Sequence, residues 1–181
     1  MKFVQPIRDP EIIRAIKKDL KSQKDIRNYL LFEIGINTGL RISDILQLRV
    51  KDLKKKYLYL IEVKTKKQKQ FEMNPHVRKE LLTYLEGRDD EEFVIKSRQG
   101  VNKPLKRSMT YKILRKIAKK YGLEQIGNHT LRKTYGYFFY QETHDIAMLQ
   151  KIFNHSDPQF TLRYIGIIQD TINEATKRFR I

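Results

Sequence analysis

Residues 153–166 read FNHSDPQFTLRYIG, and this stretch decides how the second half of the chain folds. Asp157-Pro158 is a helix-entry signal, because a capping carboxylate satisfies free N–H groups and a first-turn proline has none to satisfy. A helix over Ser156–Tyr164 follows, with His155 just outside it, nine residues before Tyr164. Working upstream, apolar residues recur at helical spacing over Asp145–Phe153, Asn128–Gln141 and Ser108–Tyr121, the last stopped by Gly122. Downstream, a final amphipathic piece runs over Thr171–Phe179.

The first half begins in the same manner. Asp9 and Pro10 open a helix whose apolar face is Ile12, Ile13, Ile16 and Leu20. A second helix runs from about Asp25 to Thr38 and ends at Gly39, and a short one covers Ile42 to Leu48. From Tyr57 the period changes. Two strands are expected, Leu58–Lys64 and Gln70–Met73, joined by a lysine-rich turn, with Phe93–Ile95 as a brief third. Between them Asn74 caps a helix carrying Val77, Leu81, Leu82 and Leu85, and Arg88–Glu92 is a solvated connector. The predicted class is α+β and mostly helical, with a small antiparallel sheet of about three strands.

The composition suits a single folded unit. The chain has 181 residues, 40% of them hydrophobic, which is enough to form a core. It has no cysteine, which removes disulfides, thiolate zinc sites and a cysteine nucleophile. The N-terminal MKFVQPIRDP has no long apolar run, so neither a signal peptide nor a spanning helix is expected and a cytoplasmic setting follows. Lys+Arg number 38 against 21 Asp+Glu, a net +17, which calls for a polyanionic partner. The basic residues are spread over helices, hairpin and loops rather than gathered on one helix opposite an apolar face, so nucleic acid fits better than a membrane surface.

Three short segments carry chemistry: Thr38-Gly-Leu-Arg41-Ile-Ser-Asp44, the hairpin Lys64-Thr-Lys66-Lys67, and His129-Thr-Leu-Arg132. The i,i+3 spacing of His129 and Arg132 puts both on one helix face. Attack on a phosphodiester builds negative charge on its non-bridging oxygens. Two arginines can clamp those oxygens with planar, paired donors. Histidines donate or exchange protons near neutral pH. A tyrosine hydroxyl, with a pKa of about 10, becomes a nucleophile once its anion is stabilised. A lysine can protonate the leaving sugar oxygen. That inventory performs covalent phosphoryl transfer with no metal or cofactor.

TGLRISDIL, HTLR and FNHSDPQFTLRY, in this order, resemble the signature boxes of the tyrosine recombinase (phage integrase) family. Arg132 to His155 is 23 residues and His155 to Tyr164 nine. The resemblance implies that Arg41 and Arg132 are the catalytic arginines and that His129 is a donor and proton carrier. It makes His155 a support for phosphate and nucleophile, and Tyr164 the nucleophile that forms a 3′-phosphotyrosine. Asp44 matches an acidic residue that supports the first arginine. Counting back from Phe71 and Met73, the general-acid lysine matches Lys64, with Lys66 the alternative. Lys66, Lys67 and Lys69 are then expected to contact DNA.

The resemblance also implies duplex DNA as partner and a homo-oligomer on synapsed DNA sites. The chain reads as one catalytic domain over 1–181, with 167–181 a tail packing on a neighbouring subunit and no separate N-terminal core-binding domain. A missing clamp raises an accessory DNA-binding protein as a further partner. Asn154 stands where the family usually has glycine. Two other readings remain at this point. One is a non-catalytic DNA-binding accessory protein of the same fold. The other is a Mg-dependent nuclease using Asp52, Glu62 and Lys64, a short pattern that leaves Arg41, His129, Arg132 and His155 idle.

Overall fold

The computed structural model describes residues 4–180. Helix α1 (Pro10–Ser22) opens as its sequence dictates: Asp9 accepts from the Glu11 N–H at 2.7 Å and Pro10 takes the first turn. Ile16 and Leu20 are buried, with Ile12 and Ile13 beside them. Helix α2 (Ile26–Thr38) is buried over most of its length, from Asn28 to Gly35, and is the central pillar. Its one buried carboxylate, Glu33, is paired with Lys17 at 2.9 Å, as burial of a charge requires.

The short helices α3 (Ile42–Ile45) and α4 (Val50–Lys54) follow, then strands β1 (Tyr57–Ile61) and β2 (Gln68–Glu72). These pair antiparallel, Tyr57 opposite Glu72 and Ile61 opposite Gln68. Helix α5 (Pro75–Thr83) is capped by Asn74, which accepts from the N–H groups of His76 and Val77. An irregular stretch leads to α6 (Arg107–Lys120), α7 (Thr130–Thr143), α8 (Ile146–Phe153), α9 (Pro158–Ile165) and α10 (Ile167–Arg178).

The expected class holds, but the sheet has two strands among the described residues, not three. Residues 93–95 make only isolated bridges with neighbouring segments, Phe93 with Arg49, while the Val94 N–H donates to Leu48 O at 2.9 Å. Val94 and Ile95 are consecutive and both buried. A pleated strand would send one of them to each face, so the segment is pinned in the core without entering a sheet. The first strand ends at Ile61 rather than Lys64, because the chain turns at Glu62 and buries that side chain. Helix α4 was not expected. The last helix starts at Ile167 instead of Thr171.

Two apolar clusters form. The larger joins α1–α6 and the start of α7 through Leu131. The smaller centres on Leu149, Phe153 and Ile165, packed with Tyr135, Phe139 and Tyr164, and ties α7, α8 and α9 together. The helices α2 and α7 cross closely because Gly35 meets Leu131, where an added Cβ would lie 2.5 Å from Leu131 Cδ1. Among the described residues, no helix is long and apolar enough to cross a membrane.

Candidate active site

The corner after α2 places the first arginine. Gly39 caps α2 with φ +61, and a Cβ there would lie 2.5 Å from the Tyr135 ring. Both handedness and space therefore demand glycine. Two residues on, Arg41 is the N-cap of α3 and points into a cleft of about 300 Å³ lined also by Ser43, Lys64, Arg107, Asn128 and His129.

Arg132 comes from the first turn of α7 and is 2% exposed. Its guanidinium donates to the Gly39 carbonyl and, at 2.9 Å, to Phe153 O, and it stacks 4.2 Å above the Phe153 ring. One buried arginine thus fastens the α2 corner to the end of α8. Burial pushes its pKa down, and nearby Arg41 adds to that, while Tyr164 and Glu62 oppose. A guanidinium remains charged regardless.

The Tyr164 ring sits among Phe153, His155 and Phe160, and its hydroxyl lies 3.2 Å from His129 Nδ1. Lys133 Nζ is 4.7 Å from the ring centroid. Burial raises the phenol pKa, whereas Arg132 and Arg41 pull it down. His129, at the mouth of the cleft, is held below the usual imidazole value by burial and by Arg107, Arg132, Lys133 and Arg41. His155 is pushed to about 4 by burial, then by Arg132 and Arg41, and its Nδ1 contacts Thr161 Oγ1 at 3.1 Å. Both histidines are neutral at pH 7 and can each donate one hydrogen bond and accept another.

The structure therefore brings Arg41, His129, Arg132, His155 and Tyr164 together. Lys64 is exposed in the hairpin turn and lines the same cleft as Arg41 and His129. Lys66 is exposed with φ +59. Lys67 reaches Asn154 Oδ1 at 3.4 Å. Lys69, expected on DNA, turns inward instead: Nζ donates to Ile152 O at 2.9 Å. Its pKa falls to about 8, chiefly through burial and then through Arg132. Asp44 is buried, and its Oδ1 accepts from the Val63 N–H at 2.9 Å, so it anchors the hairpin beside Arg41.

The direct ionic partner of Arg41 is Glu62, 2.6 Å away. The sequence offered no sign of this pairing; Glu62 had only the look of a metal ligand. Asp52 meanwhile, in the first turn of α4, accepts at 2.8 Å from the backbone N–H of the N-cap residue Arg49. With Asp52 and Glu62 engaged in separate structural roles, the nuclease pattern loses its acidic pair. Arg107 and Asn128, which line the cleft, also went unnoticed. Arg107 is the first residue of α6, and no motif in the sequence marks it.

The phage integrase family model matches residues 6–169. The chain is 48% identical over 180 residues to the probable integrase/recombinase YoeC of Bacillus subtilis, covering 99% of this chain and 98% of that protein. Among solved structures it resembles the XerA recombinase, with TM-score 0.73, 21% identity, and coverage of 98% of this chain and 65% of that one. A lambda integrase dimer bound to a COC′ core site superposes with TM-score 0.69, at 19% identity, over 91% of this chain and 60% of that one. The chain belongs to the phage integrase family, the tyrosine recombinases, and it has their catalytic fold.

Proposed function

We propose that this tyrosine recombinase breaks and rejoins duplex DNA at a specific site through a 3′-phosphotyrosine intermediate, with no metal ion and no ATP. The observation that carries the proposal is the Tyr164 hydroxyl, 3.2 Å from His129 and flanked by two arginines contributed by segments far apart in sequence. Tyr164 Oη attacks the scissile phosphorus, and its proton passes to His129. Charge gathers on the non-bridging oxygens, where Arg41 and the N–H groups of Arg132 not used on carbonyls receive it. His155, packed against the phenol ring, supports the nucleophile. Lys64 gives a proton to the departing 5′ oxygen as the P–O5′ bond breaks. The new phosphotyrosine linkage conserves the energy of the bond that broke, so attack by a 5′-hydroxyl, with Tyr164 as leaving group, reverses the step.

The net +17 fits a protein that lies on the phosphate backbone, in the cytoplasm where its DNA is. Recombination joins two sites, so the working form is a homo-oligomer on paired DNA. The test is a suicide substrate nicked beside the cleavage site, incubated with excess EDTA. Wild type forms a covalent protein–DNA adduct and Tyr164→Phe forms none. Non-covalent binding with no adduct on a verified cognate site would make the chain an accessory DNA-binding protein instead.

A further inference from the structure

Glu62 is 1% exposed and lies at the centre of the positive site, where a buried carboxylate competes with phosphate. Its position is the meeting point of three segments. Oε1 lies 2.6 Å from Arg41 Nη1, and Oε2 accepts from the Thr65 hydroxyl in the hairpin turn and from Asn154 Nδ2 at 3.3 Å. Asn154 adopts φ +57 at the C-cap of α8 and immediately precedes His155. The backbone of Glu62 also closes the turn that carries Lys64: its N–H donates to Lys67 O and its carbonyl accepts from the Lys66 N–H, both at 2.9 Å.

We propose that Glu62 is a positioning residue that ties the Arg41 corner, the Lys64 turn and the His155 turn into a single geometry, aiming Arg41 at the phosphate. This role rests on the recombinase reading above. Burial raises its pKa, but the Thr65 hydroxyl, Arg41, Lys69 and Asn154 outweigh burial and hold it below the ordinary carboxylate value. The carboxylate is therefore ionised at neutral pH. Being 1% exposed and paired with Arg41, it acts through that arginine. It costs some attraction for DNA and gains fixed placement of the clamp, where a misplacement of about 1 Å lowers rate about 10²-fold.

The experiment compares Glu62→Gln with wild type in three readouts. The first is the single-turnover adduct rate at saturating suicide substrate. The second is non-covalent affinity for the same DNA, measured in a Tyr164→Phe background. The expected result is a rate lower by about 10²-fold with affinity unchanged or tighter. A rate close to wild type, or a loss of affinity that accounts for the loss of rate, overturns the proposal. A third readout needs no DNA: the ¹⁵N guanidinium resonances of Arg41 should be slow to exchange in wild type and lost in Glu62→Gln, and identical spectra count against the pairing. Should Glu62→Gln fail to fold, Thr65→Val removes only one tether and should slow cleavage; an unchanged rate again overturns the role. A wild-type chain that forms no adduct removes the recombinase reading and this role together. A wild-type adduct with an unimpaired Glu62→Gln removes this role alone.

Discussion

Tyr164 must lose a proton to act, and burial holds the phenol pKa above its ordinary value although Arg132 and Arg41 pull it down. Cleavage should therefore accelerate as pH rises through the neutral range. In Arg41→Ala the rate should be lower by about 10²–10³-fold throughout, in line with loss of a preorganised charge donor; single-turnover rates from pH 6 to 9 measure it. His155 gives a stability prediction of definite sign. Its pKa is depressed to about 4 in the folded protein, below the unfolded value of about 6.5. Between these values the unfolded chain binds the extra proton, so stability is lost as pH falls from about 6.5 toward 4. Urea midpoints over that window should fall less in His155→Phe than in wild type.

The arginines, histidines and nucleophile were legible because TGLRISDIL, HTLR and FNHSDPQFTLRY resemble, in order and spacing, the signature boxes of the family. Glu62 was not, since nothing local marks a strand-end carboxylate as turning inward to a partner 21 positions away, at Arg41. Lys69 could have been read correctly. It shares a face of β2 with Phe71, both half-buried between exposed neighbours, and strand alternation puts the pair inward together.

The elements that deliver these side chains depend on close backbone approach. In α7, Gly136 faces Ile165 and Phe153, and a Cβ there would meet both at 2.7 Å. Alanine normally favours a helix by about 1 kcal/mol over glycine. Here Gly136→Ala should destabilise by about 1–3 kcal/mol through overpacking, and should displace α9, which carries Tyr164. Denaturant melts and adduct rates should fall together. The helices were legible from capping residues and apolar period, as with Asp9-Pro10, Asn74-Pro75 and Asp157-Pro158. The third strand was misread because residues 93–95 have strand-like composition, while a core position between Leu48 and Leu105 holds them by isolated bonds. The hairpin carries its own test. Lys64→Ala should slow cleavage of ordinary DNA strongly, and a substrate with sulfur at the 5′ leaving position, which leaves without protonation, should recover most of the rate. No recovery would move the general acid to Lys66 or elsewhere.

The whole molecule carries a net +17, and the proposed partner is a polyanion. For six to ten phosphate contacts, affinity should fall by about 10³-fold or more between 50 and 200 mM salt; a flat salt dependence in a filter-binding titration would contradict a backbone-clamping mode. Helix α10 packs on its own α9, with Arg8 paired to Asp170 at 2.9 Å, and none of its residues is buried. Removing 167–181 should weaken assembly on DNA more than binding of one site, by sedimentation of the bound complexes.

Ten tyrosines are present, and one of them is assigned the bond to DNA. Mass spectrometry of the digested, trapped adduct identifies which. A single nucleotide-bearing peptide containing Tyr164, linked to a 3′-phosphate, is the predicted result. Attachment at any other residue, or cleaved DNA with no protein bound, would contradict it.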